Sequence, residues 1–166
     1  MRAIAAEVGL SRATLYRRFG SREALLGEVI AAEAEEYFAR VRARVGGQGA
    51  PALLETFDQI NRGLARAPAL RRFLEQERAA ALRTLTSSAG KVQPTSVAAI
   101  ASLIEKEVRA GAYRPPVDPE TLAYAIVRLA EAFIYNDALA GIRGDVEALR
   151  KIQAALLGIG FTEPDG

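Results

Sequence analysis

Apolar residues recur three and four positions apart along nearly the whole chain, the spacing of one helical face, and nowhere alternate as a strand requires. Ile4, Ala5 and Val8 predict a short helix over Arg2 to Val8, ended by Gly9. Ser11 can cap a second helix, Arg12 to Arg18, which stops at Gly20. Ser21 starts a long third helix running to about Val45, with Leu25, Leu26, Val29, Ile30, Tyr37, Phe38 and Val41 as its apolar positions. Gly46, Gly47 and Gly49 then break the chain. Pro51 opens a helix carrying Leu53, Leu54, Phe57, Ile60 and Leu64, since proline suits a first helical turn. Pro68 opens the next, carrying Leu70, Phe73, Leu74, Leu82 and Leu85, and Pro94 another that ends near Gly111. Asp118-Pro119 starts a helix reaching about Ala140, and a last one lies between Asp145 and Leu157. The expected fold class is all-α, with eight helices and no strand.

Composition narrows the chemistry. The 166 residues contain no histidine and no cysteine. That removes the Ser-His-Asp and Cys-His nucleophile systems and zinc sites built on nitrogen and sulfur. No motif calls for catalysis by other groups, so no enzyme and no cofactor is expected. No apolar run reaches the roughly 18 residues of a membrane span, and the N-terminus lacks the apolar core of a signal peptide. The expected location is cytoplasmic, with no membrane partner.

Charge is unevenly placed. The net charge is only +2, yet Arg2, Arg12, Arg17, Arg18 and Arg22 face a single acid, Glu7, over the first 22 residues. A local basic patch on a near-neutral chain is the footprint of a nucleic-acid-binding end. Ile4 to Phe19 reads as helix, tight turn, helix, with Gly9 able to take the positive φ of the turn. The second helix offers Arg12, Thr14, Tyr16, Arg17 and Arg18 outward. Long cations suit phosphates and guanine edges, and hydroxyls suit either.

The run from Ile4-Ala5 through Gly9-Leu10-Ser11, then Leu15-Tyr16-Arg17-Arg18-Phe19, then Ser21-Arg22-Glu23-Ala24-Leu25-Leu26, resembles the DNA-binding signature of the TetR family of transcription regulators. The resemblance covers about the first 30 residues. It implies that Ser11, Arg12, Thr14, Tyr16 and Arg17 face double-stranded DNA, that Arg18 supports a phosphate contact, and that Arg22 meets the backbone. Leu10, Leu15 and Phe19 are expected in the core. Family members carry a further helix before this motif. The chain begins one residue before the first helix read here, so the small domain is expected to lack part of its core and to hold DNA weakly.

The rest resembles the regulatory half of the family, and is similar to the branch that controls degradation of lactone quorum signals. Residues 1–45 form the expected DNA-binding region with its connecting helix, and 46–166 the ligand-binding and dimerisation domain. Two broad apolar stripes, Leu122, Ile126, Leu129 and Phe133, then Val146, Leu149, Ile152 and Leu156, are expected to form a homodimer interface. Phe57, Ile60, Phe73, Ile100, Ile104, Tyr124 and Val127 are candidate walls of an apolar ligand cavity, with Asn61, Glu77, Tyr124 and Asn136 as polar anchors. The expected function is a repressor released from a palindromic operator by a small hydrophobic effector. The alternative is a helical small-molecule-binding dimer that has lost DNA binding through N-terminal truncation.

Overall fold

The computed structural model describes residues 12–136 and 145–160. The expected helix Arg2 to Val8, Gly9, Leu10 and Ser11 lie outside the described residues, as do the side chains of Arg12, Leu15 and Asn136. Among the described residues there are eight α-helices and no strand.

Helix α1 spans Arg12–Phe19. Its end is made by Gly20, whose φ of 73° lets its N–H donate to the Tyr16 carbonyl at 2.8 Å. Ser21 then caps α2, Arg22–Arg44, its Oγ accepting from the Ala24 N–H at 3.0 Å. At 23 residues α2 is a strut about 35 Å long. Leu25 is buried, Ala31 packs with Leu74, Ala81, Leu85 and Val92, and Phe38 and Val41 enter the main core. Residue 45 lies in the turn that ends this helix, and the helix contributes side chains to both apolar clusters.

That turn is locked. Glu107 is buried and accepts from Arg42 Nη2 at 2.6 Å and from the Gly49 N–H at 2.8 Å. Gly49 has a φ of 72°, and a Cβ there would sit 2.6 Å from the Ala112 carbonyl oxygen. No other residue fits.

Helix α3, Gly49–Arg66, runs through the middle of the molecule, with Leu53, Phe57, Ile60 and Asn61 all buried. It starts two residues before Pro51, and α6, Val92–Arg109, starts two before Pro94. The first four N–H groups of a helix have no internal partner, so proline in the third position loses nothing.

The segment from Pro68 to Leu85, expected as one helix, is two: α4, Pro68–Gln76, and α5, Arg78–Thr86. The joint is Glu77, at φ −128° and ψ 42°. Neither glycine nor proline causes it. The break turns Leu70 and Phe73 toward a cavity, and it sets Ala81 and Leu85 against α2 and α6. One straight helix could not do both.

Helix α7, Pro119–Glu131, is capped by Asp118, which accepts from the Thr121 N–H at 2.9 Å. It continues as a π-helical turn, Ala132–Asn136. Helix α8, Val146–Leu156, is capped by Asp145 and packs on α3 and α7. The main core joins Phe38, Phe57, Ile60, Ile100, Ile104, Leu122, Ile126 and Leu157.

Candidate nucleic-acid interface and ligand cavity

Helix α1 is a short basic element at one end of the α2 strut. Tyr16 is 45% exposed, Arg17 and Arg18 are exposed, and Thr14 is half-buried. The helix has no acid, and both arginines lie in its last turn, where the helix dipole favours cations. The Arg18 guanidinium sits 5.4 Å from the centroid of the half-buried Phe19 ring. A cationic ridge of this kind can lie along a phosphate backbone and present Thr14 and Arg17 to base edges.

Arg22 and Glu77, expected in two different sites, are partners. Arg22 Nη1 lies 2.5 Å from Glu77 Oε2, and Nη2 donates to Oε1 at 2.9 Å. The two-point contact holds the Glu77 carboxyl below its ordinary range. Glu77, expected as a polar anchor of the cavity, has both oxygens on the first residue of α2. Two more ion pairs tie the same stretch of α2 to α5 and to the turn before α6, Arg83 to Glu23 at 2.8 Å and Lys91 to Glu28 at 3.6 Å.

Between α2, α3 and α4 lies an open cavity of about 660 Å³. Its walls are Leu26, Ile30, Tyr37, Phe38, Leu64, Leu70 and Phe73, with Arg22, Glu33 and Arg40 also on its lining. Tyr37 fits because residue 63 is glycine: a Cβ there would meet the Tyr37 hydroxyl at 1.8 Å. Sharing Phe38, Leu64, Leu85, Val92, Ser96 and Tyr135 with this space is a smaller inner chamber of about 40 Å³. Phe57, Ile60, Ile100 and Val127 wall it, and Asn61, Glu131 and Gln153 supply its polar groups. The π-helical turn begins directly after Glu131, and Glu131, Ile134 and Tyr135 all line this chamber. Burial raises the Glu131 carboxyl to about 7, against the opposing pull of Arg128, which donates to it at 2.7 Å. Burial and the charge of Glu131 both push the Tyr135 phenol up.

Of the expected cavity residues, Phe57, Ile60, Asn61, Ile100 and Val127 line the inner chamber and Phe73 the outer one. Ile104 is buried in the core and lines neither. Tyr124 is 51% exposed, under the Arg128 guanidinium at 5.9 Å, and lines neither chamber. The α2 wall, Glu131, Tyr135 and Gln153 were not expected there. Gln153 is a polar residue on an otherwise apolar stripe, which is the signal that would have exposed it.

The expected dimer stripes also divide. Leu122, Ile126 and Leu149 are buried within the protomer, where α7 and α8 meet α3 and α6, and Ile126 also walls the inner chamber. Their side chains are taken up by packing inside the protomer. Leu129, Phe133, Val146 and Leu156 are half-buried and Ile152 is exposed.

The features define an all-helical protein with an open apolar-walled cavity and a basic helix on a strut. Residues 1–29 match the family model described as bacterial regulatory proteins of the tetR family, and residues 48–158 match the tetracyclin repressor-like C-terminal domain. The R. erythropolis transcriptional repressor QsdR, of the TetR family, has a similar structure, with a TM-score of 0.87 and 26% identity over 99% of this chain and 87% of that one. No curated relative matches. The chain belongs to the TetR family and is a transcription regulator with a helix-turn-helix DNA-binding region.

Proposed function

We propose that the protein is a homodimeric repressor that binds a palindromic operator through α1 and is released when a small, mainly apolar effector fills the cavity between α2 and α4. The observation that carries this reading is the position of the cavity. Its walls include α2, the helix that holds the DNA-reading end, and α4, whose last joint grips the first residue of α2 through Glu77 and Arg22. An occupant that moves α4 moves both. A ligand shifts such an equilibrium only by its differential affinity for the two arrangements, and an open apolar cavity beside a helix joint supplies that difference.

In this reading Tyr16, Arg18 and Arg22 contact the backbone, and Arg12, Thr14 and Arg17 contact base edges. The dimer forms through the outer face of α7 and α8, with Leu129, Phe133, Ile152 and Leu156 at its centre. The QsdR structure supports the reading, since its protein is named a transcriptional repressor.

The test is selection of duplexes from a random pool by the full chain. An inverted repeat should be enriched, and a cavity ligand should lower its retention. Enrichment of no sequence would refute the reader, and retention unchanged by a bound ligand would refute the release.

A further inference from the structure

The inner chamber holds a buried hydrogen-bond donor with nothing to donate to. Gln153 is fully buried, and its Oε1 accepts from Asn61 Nδ2 at 3.0 Å. Its Nε2 has no partner among the described residues. A buried amide N–H left unpaired is unfavourable, and this one lines a chamber that shares Phe38, Leu64, Leu85, Val92, Ser96 and Tyr135 with the large outer cavity.

The size of the chamber limits what can enter. About 40 Å³ admits a head of one or two polar atoms, since a single water needs roughly 10–15 Å³ of the same measure. The charges limit it further. Among the described residues no lysine or arginine lines the inner chamber, and its one carboxyl, Glu131, already accepts from Arg128. A carboxylate head would meet no cation there and would face Glu131. An ammonium head would find a carboxyl already paired and would offer Gln153 no acceptor. An uncharged oxygen acceptor meets every demand. The outer chamber, walled mainly by Ile30, Leu64, Leu70 and Phe73 with Arg22, Glu33 and Arg40 also on its lining, suits an apolar body.

We propose that the ligand is an uncharged carbonyl compound with an apolar tail, its oxygen accepting from Gln153 Nε2 in the inner chamber and its tail lying against α2 and α4. This rests on the reading of the cavity as the effector site. It names the head group that the site selects and the residue that selects it.

The experiment uses three eight-carbon probes, 2-octanone, octanoate and octylamine, with calorimetry on the full chain at pH 8. A neutral fluorescent probe without a carbonyl, N-phenyl-1-naphthylamine, reports the outer chamber alone. The ketone should bind about tenfold more tightly than either charged probe, the effect of one buried hydrogen bond plus the charge penalty. Gln153→Met should weaken the ketone about tenfold and leave the fluorescent probe unchanged. Because that variant strands Asn61, the pair Asn61→Leu with Gln153→Leu removes both partners together and should show the same selective loss. Octanoate or octylamine binding as tightly as the ketone would overturn the proposal. So would ketone affinity that survives both variants. If no eight-carbon probe binds while the fluorescent probe does, the head-group assignment falls and the cavity reading stands. If the fluorescent probe is also refused, the cavity reading itself falls.

Discussion

Arg22 and Glu77 face each other across 55 residues of sequence, in a two-point ion pair that joins the first residue of α2 to the break between α4 and α5. Both side chains are well exposed, so the pair is weak and salt-screened as a stability element. Its significance is positional, because it lies between the cavity and the reading helix. While Glu77 holds Arg22, two of its five N–H donors and much of its charge are engaged, which weakens its grip on a phosphate. Glu77→Gln should therefore free it. Binding of DNA should tighten at low salt, and the slope of log affinity against log salt should steepen by about 1 per protomer. An unchanged slope would place Arg22 away from the backbone.

Substitutions on α1 should separate affinity from specificity. Tyr16→Phe and Arg18→Ala should weaken binding to all duplexes alike. Thr14→Ala and Arg17→Ala should relax the preference at one base position, at a cost of about 1–3 kcal/mol for the favoured base. Repeating the random-pool selection with each variant checks this. A flattened base preference with Tyr16→Phe, and an intact one with Arg17→Ala, would reverse the assignment.

Gly63 makes room for Tyr37, so Gly63→Ala should drive the Tyr37 ring off its site. Overpacking of this kind costs about 1–3 kcal/mol, and Tyr37 also lines the cavity. A lower melting temperature should come with altered binding of the fluorescent probe. A variant that melts and binds like the parent would show that the ring swings freely.

The two positions on α8 should behave differently. Ile152→Asp places a charge on an exposed site and should give folded monomers in sedimentation. Leu149→Asp buries a charge in the protomer core and should abolish folding. A folded dimer with Ile152→Asp would remove the outer face of α8 from the interface.

Glu131 ties stability to pH. Its folded value of about 7 lies above the ordinary 4.5, so the folded state binds more protons between those limits. Stability should fall as pH rises from about 4.5 to 7 and level off above. Glu131→Gln should remove that loss and gain on the order of 1–3 kcal/mol over the parent at pH 8 relative to pH 5. Thermal melts across this range check it. A difference that does not vary with pH would mean that Arg128 cancels the burial of the carboxyl.

The helical fold was legible because alanine-rich segments with apolar residues three and four apart admit little else, and Ser21, Asp118 and Asp145 mark helix starts by their side chains. The break at Glu77 was not, because it is imposed by the different partners of Phe73 and Leu85 rather than by a local breaker. Burial on one helix could be read, but not its direction. Leu122 and Leu149 share stripes with Leu129 and Ile152, and only the packing of α3 and α6 against them assigns the first pair to the protomer. The cavity wall from α2 was hidden for the same reason: Ile30 and Tyr37 look like ordinary core positions until α4 is seen to bend away.

The most direct test is a reciprocal titration. With the enriched duplex held at physiological salt, DNA affinity is measured by anisotropy as cavity ligand rises, and ligand affinity is measured with and without saturating duplex. The account predicts that each weakens the other by the same factor, as linkage requires of two sites coupled through one equilibrium. Duplex affinity that stays constant while the cavity is demonstrably full would contradict it.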